Sequence, residues 1–215
     1  MELRPLTESD MEQVRVWRHD VPNVLRTPYM LTEEMQQDYY ERVICNRDSS
    51  TRYWGLWDEV PDVPWELDEF IGYGGIENIS WENGNGEISL LISPDYRGKG
   101  YGKQAVGLFL DQAFNNLRLE HIYGECYECG PWRFWNSMAL IYSKATRDLA
   151  CWLPARKYYQ GEYHDSYYFT FSAESYRRYT RENRFPANPP EEYQGVSRQA
   201  DTGIYDGGSQ SVRPF

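Results

Sequence analysis

One short stretch constrains the fold more than any other: Arg97-Gly98-Lys99-Gly100-Tyr101-Gly102. An alternating segment, Glu87 to Ser93, enters it through the turn Pro94-Asp95. A segment with Val106, Phe109, Leu110, Ala113 and Phe114 at three- and four-residue spacing leaves it. A period of two that changes to a helical period across glycines predicts strand, tight loop and amphipathic helix. Glycines at such a junction let consecutive backbone N–H groups converge at a helix N-terminus. That geometry attracts an anion, and the helix dipole adds to the attraction. Arg97 and Lys99 add positive charge. No Gly-Lys-Ser/Thr closes the loop, so it is not a Walker A element. The entering strand comes from a hairpin, which sets it apart from the Rossmann fingerprint.

The rest of the chain predicts further elements around this unit. Residues 1–6 read as a short strand. Thr7-Glu8-Ser9-Asp10 is a capping box for a helix that ends near Asp20, before Pro22. Thr32 caps a second helix that runs to about Cys45. Strands follow at 52–57 and 70–79, with a loop at Pro61–Pro64 between them. Asn83-Gly84-Asn85-Gly86 has the chemistry of a hairpin turn leading into the strand 87–93. The helix of 100–117 precedes a strand at 121–126, a break at Gly130-Pro131 and a helix over 136–146. Two aromatic-rich strands, about 150–159 and 164–171, close the pattern. The order β-α-α-β-β-β-α-β-α-β-β predicts an α+β fold with a mixed, mostly antiparallel central sheet flanked by helices. The expected domain is 1–172. Residues 173–215 hold six basic and six acidic side chains and are expected to form a helical turn and an extended or disordered arm.

Composition narrows the chemistry. The chain has 215 residues and a net charge of −11, all of it carried by the first 172 residues. Such acidity repels phosphate backbones and disfavours nucleic-acid binding, whereas it favours a cationic acceptor. No apolar run is long enough to cross a membrane. Met1-Glu2-Leu3-Arg4-Pro5 lacks the apolar stretch of a signal peptide, so a cytoplasmic location is expected. Cys126 and Cys129 form a lone C-x-x-C without a second ligand pair. They read as reduced thiols on or just after a strand, with no metal.

Leu91-Ile92-Ser93-Pro94-Asp95-Tyr96-Arg97-Gly98-Lys99-Gly100-Tyr101-Gly102 resembles the acetyl-CoA motif R/Q-x-x-G-x-G/A of the GNAT N-acetyltransferases. Arg97, Gly100 and Gly102 stand at its defining places, and the likeness covers roughly residues 2–172. Leu3-Arg4-Pro5-Leu6, Trp17-Arg18-His19-Asp20, Phe70-Ile71-Gly72-Tyr73-Gly74-Gly75 and the segment Arg156–Tyr167 are similar to the subgroup that acetylates ribosomal-protein N-termini, polyamines and amino sugars. The resemblance implies acetyl-CoA as co-substrate, with its diphosphate on the amides of Arg97, Gly98, Lys99, Gly100, Tyr101 and Gly102. Its pantetheine arm would lie along Leu91 and Ile92, in a splay between this strand and the one at 121–126. Asn136 would bind the cofactor arm and Tyr142 would protonate the departing thiolate. Glu87 and Glu77 are the candidate general bases, and the acceptor would be a small-molecule or peptidyl primary amine attacked directly. A homodimer is compatible with this reading. Ala145–Cys151 stands where the family usually has Gly-Phe. That departure, with the unusual tail, motivates an alternative: an inactive binding or assembly module that uses its arm from Pro186 to Phe215.

Overall fold

The computed structural model describes residues 1–27, 29–58, 68–142 and 150–184. The elements are β1 (Glu2–Arg4), α1 (Glu8–His19), α2 (Glu33–Tyr39), β2 (Arg52–Asp58), β3 (Glu69–Ser80), β4 (Asn85–Ile92), α3 (Tyr101–Asp111), β5 (His121–Tyr127), α4 (Trp132–Tyr142), β6 (Ala150–Tyr159), β7 (Glu162–Ser172) and α5 (Ala173–Arg184). This is the predicted order with one helix added. Single π-type turns carry α2 on to Ile44 and α3 on to Asn116, which accounts for the helix ends expected near Cys45 and Leu117. At the start of α1 the Thr7 hydroxyl accepts from the Asp10 amide, and the Asp10 carboxylate accepts from the Thr7 amide at 2.8 Å. This reciprocal pair is the predicted capping box.

Seven strands form one sheet in the order β1-β2-β3-β4-β5-β7-β6. Every neighbouring pair is antiparallel except β4 and β5, which run parallel because α3 carries the chain back between them. Pairing of β4 with β5 is confined to Asn85–His121, Gly86–Ile122 and Glu87–Tyr123. Beyond Glu87 the two strands diverge.

Strand parity sorts the side chains onto two faces. Ile88 and Ile92 of β4 and Ile122 of β5 are buried with Ile76, Phe109, Leu110, Phe114 and Trp135 in the larger core, against α3 and α4. The opposite face carries Tyr73, with Leu6, Met11, Val14 and Trp17 from the α1 side. A bulge between Leu56 and Trp57 of β2 and the facing residues of β3 pairs Trp57 with Phe70 and Leu56 with Gly72. The extra residue, Ile71, places Phe70 and Tyr73 against the same small core. Gly75 has φ +153°, and a Cβ there would collide with the Arg52 carbonyl, so glycine is required.

Three details differ from the sequence reading. The β3–β4 turn is Trp81–Gly84, and Asn85 and Gly86 are already strand residues. Gly84 alone supplies the positive φ, +62°, while Gly86 is needed because a Cβ would come within 2.5 Å of Ile76. Helix α4 begins four residues before Asn136, because the Pro131 carbonyl accepts from the amides of Phe134 and Trp135. The compact unit runs from Met1 to Thr180, beyond the expected boundary at 172. Ala173 and Tyr176 of α5 are buried in the larger core. The expected loop Pro61–Pro64, the segment Ala145–Leu149 and the arm Pro186–Phe215 lie outside the described residues.

Candidate active site

The loop after β4 has the properties its glycines predict. Gly98 and Gly100 adopt φ +74° and +92°, and a Cβ on either would meet nothing within 4 Å. Gly100 is the N-cap of α3. The N–H groups of residues 98–102 donate to no acceptor among the described residues, and the first backbone bonds of the helix are made by Lys103 and Gln104 to Gly100. Five consecutive donors with no partner among the described residues, at the positive end of a helix dipole and with open space before them, are a donor set that suits a phosphate ester. The loop is fixed from both sides. The Arg97 Nε donates to the Ile92 carbonyl at 2.9 Å, and the Tyr101 hydroxyl donates to Asp58. Gly102 lets Phe134 of α4 approach: a Cβ would stand 3.3 Å from that ring. The Lys99 ammonium lies over the Tyr96 ring, 5.0 Å from its centre. These residues fit the diphosphate of CoA.

From the loop, the edge of β4 that β5 leaves unpaired leads into a cavity of about 620 Å³, lined among others by Ile88, Ser89, Leu90, Leu91, Cys126 and Trp135. Leu91 borders this cavity, whereas Ile92 is buried in the larger core.

The two carboxylates singled out in the sequence also line this cavity. Glu77 and Glu87 are register partners across β3 and β4, and parity puts both on the face of Tyr73. Like charges directly opposite one another are unfavourable, and Arg26, from the irregular segment after α1, offsets them. It donates to both oxygens of Glu87, one bond being 3.0 Å. Its guanidinium also lies 3.7 Å from Glu77 and 3.2 Å from Glu125 of β5. Asn78 Nδ2 donates to Glu87 at 3.1 Å, so Glu87 is fully engaged. Glu77 accepts from the Tyr53 hydroxyl; burial, together with the neighbouring Glu87, raises its pKa above the ordinary carboxylate value. Glu125 is also desolvated, but the Ser166 hydroxyl at 2.7 Å and Arg26 outweigh that and lower its pKa. The segment that carries Arg26 is itself fixed: Lys157 donates to the carbonyls of Pro22 and Leu25, and Asn23 donates to the Cys129 carbonyl at 2.7 Å.

The α4 residues lie elsewhere. The Asn136 side-chain oxygen accepts from Tyr167 at 2.8 Å, in the second turn of the helix rather than at its cap. Tyr142 packs against Phe171, Tyr176 and Tyr179, and its hydroxyl faces α3, 3.1 Å from where a Gly107 Cβ would stand. Burial pushes its phenol up to about 12. Among the described residues that border the cavity, neither Asn136 nor Tyr142 is present. Burial likewise pushes the Cys126 thiol up to about 12, which leaves it protonated and a poor nucleophile at neutral pH. Sequence reasoning missed Arg26 and Glu125. The first sits in a segment without periodicity. The second occupies a strand whose solvent-side parity gave no sign of a partner.

Comparison with known proteins agrees with this architecture. A variant of the spermidine N-acetyltransferase SpeG from Vibrio cholerae superimposes with a TM-score of 0.66 at 18% identity, over 82% of this chain and 97% of that one. A chimera of the same protein with hSSAT gives 0.67, also at 18% identity, over 82% and 97% of the two chains. An uncharacterised N-acetyltransferase, p20 of Bacillus licheniformis, is 39% identical over 57 residues, or 26% of this chain. That match spans about a third (32%) of p20. The model of the acetyltransferase (GNAT) domain matches residues 1–128, well over half of the 215 residues. With the splayed β4–β5 pair and the matching sheet, this places the chain in the GNAT acetyltransferase family.

Proposed function

We propose that the protein transfers an acetyl group from acetyl-CoA to a primary amine without an acyl-enzyme. The observation that carries this reading is the row of amides at residues 98–102 that have no acceptor among the described residues, on the strand-loop-helix unit whose strand, β4, lines a cavity holding paired glutamates. The co-substrate supplies the activated acetyl group. The amides of Gly98 to Gly102 hold its diphosphate, with Lys99 adding charge. The free edge of β4, Ile88–Ile92, offers backbone groups to the arm and to the acetyl carbonyl, which lowers the cost of charge on that oxygen. Glu77 takes the proton from the acceptor nitrogen as the new C–N bond forms. The C–S bond breaks, and its electron pair leaves with the thiolate. A carboxylate whose pKa is raised toward neutrality is a better base for this step than one saturated by a guanidinium. The Cys126 thiol, kept protonated, is no nucleophile, which favours direct attack.

Amino sugars, polyamines and protein N-termini are the acceptor classes that the sequence resemblance implies. SpeG is a spermidine N-acetyltransferase, and its likeness to this chain supports an amine acceptor of some kind. Release of CoA thiol in the presence of an amine panel, with the acetylated product identified by mass, tests the reading. CoA binding without any acetylated product would refute it. No step is assigned to Tyr142. A general acid contributes about 10²–10⁴-fold, so Tyr142→Phe, whose hydroxyl lies outside the cavity, is expected to keep kcat within about threefold.

A further inference from the structure

Four carboxylates and three arginines line the cavity, and all but one of the arginines are paired with a carboxylate. Its carboxylates are Asp38, Glu77, Glu87 and Glu125, and its arginines are Arg18, Arg26 and Arg42. Arg42 pairs with Asp38 at 2.7 Å, and Arg26 serves the three glutamates. Arg18 is the exception. Among the described residues no carboxylate comes within 4.0 Å of its guanidinium. Its Nη1 donates to the Tyr73 hydroxyl at 3.3 Å and its Nη2 to the Thr27 hydroxyl at 2.9 Å. Its Nε is buried with no acceptor. Two of five donors therefore meet neutral oxygens, and one meets nothing. Glu77 feels the Arg18 charge only beyond ion-pair distance; a desolvated guanidinium with no direct ion pair is costly, and a planar fork of this kind suits the oxygens of a carboxylate or phosphate.

The net negative lining suits the amine end of an acceptor, yet within it Arg18 is a positive charge with no direct ion-pair partner among the described residues. We infer that the acceptor is an amine that also carries an anionic group, carboxylate or phosphate, and that Arg18 holds that group while the amine faces Glu77. Arg18 is thus a specificity-determining residue, and its role goes beyond the reaction itself. The identity of the amine end rests on the acetyl-transfer reading, whereas capture of the anion does not.

Calorimetry on the full chain, with and without CoA, tests the inference with matched pairs: ethanolamine against O-phosphoethanolamine, and butylamine against 4-aminobutyrate. At least one anionic member is expected to bind at least about tenfold tighter than its neutral partner, the effect of one charge-assisted contact. The pair that shows the preference identifies phosphate or carboxylate. Arg18→Gln is expected to bring that ratio close to one, and Arg18→Lys to retain part of it, since the charge stays and the fork is lost. The wild-type comparison needs no variant to fold. Equal or weaker binding of both anionic amines, tighter binding of spermidine than of either, or a ratio unchanged in Arg18→Gln would overturn the proposal. Anion selectivity without acetyl product would remove the acetyltransferase reading alone. Acetyl product without anion selectivity would remove this inference alone.

Discussion

Gly100→Val is expected to abolish useful binding of acetyl-CoA while the fold survives. The loop has room for the side chain, since nothing lies within 4 Å of a Cβ at this position. The cost to folding is therefore confined to the backbone: a β-branched residue at φ +92° costs about 1–2 kcal/mol. The cost to binding is larger. The new methyl groups fill the space in front of the unpartnered amides, and the shifted backbone turns those amides away from one another. A loss of about 3 kcal/mol, or roughly 100-fold in Kd, is expected by calorimetry with CoA. Gly161, in the β6–β7 turn, provides a matched control. It has the same φ, +92°, and equally open surroundings, but it lies outside the loop after β4. Gly161→Val should lower stability to the same extent and leave CoA affinity unchanged. If both variants bind CoA like the parent, the phosphate cradle is not where residues 98–102 place it.

Glu77→Gln is expected to reduce kcat/KM for the amine by about 10²–10⁴-fold, the usual contribution of a general base. KM for acetyl-CoA should hardly change, because Glu77 on β3 is no part of the loop of residues 97–102. The pH dependence carries the sharper information. Burial and Glu87 raise the pKa of Glu77, so the unprotonated, active form is lost at a pH above the ordinary carboxylate range. The parent should therefore show an acid limb that begins above about 4.5, and the variant should lack it. The same shift has a consequence for stability. The folded chain holds this proton more tightly than the unfolded chain, so the contribution of Glu77 to stability is fully present below the ordinary carboxylate range and is lost as pH rises through the raised value. Glu87 differs in kind. Arg26 and Asn78 occupy its oxygens, so its replacement should disturb the position of Arg26 more than proton transfer. An acid limb that persists in Glu77→Gln would move the base to another group.

Much of this arrangement is legible in the sequence, for physical reasons that can be named. The change of period at Arg97–Gly102 fixes strand, loop and helix. The alternation of Ile88, Leu90 and Ile92 with Glu87, Ser89 and Leu91 assigns the faces of β4. What alternation cannot supply is which strand residues meet. The juxtaposition of Glu77 with Glu87 depends on where the hairpin turns, and Asn83–Gly86 offers two adjacent Asn-Gly turns; the chain uses Trp81–Gly84. Asn136 and Tyr142 carry roles that only the family resemblance implies, on a helix expected to start at 136. The earlier start, set by Pro131, puts Asn136 inside the helix facing Tyr167 rather than the cleft. Arg26 has no periodic context, and only the fold brings it to three glutamates that are 51, 61 and 99 residues away.

The parity that buries Ile76, Ile88 and Ile122 is the same parity that aims Glu77, Glu87 and Tyr123 at the opposite face. Core and chemistry are thus interleaved on the same three strands, one residue apart. A slip of a single position during strand pairing would push glutamates among the isoleucines and turn the isoleucines toward the cleft. Misregistered chains would therefore be unstable as well as inert, so in this sheet the reactive groups proofread its assembly.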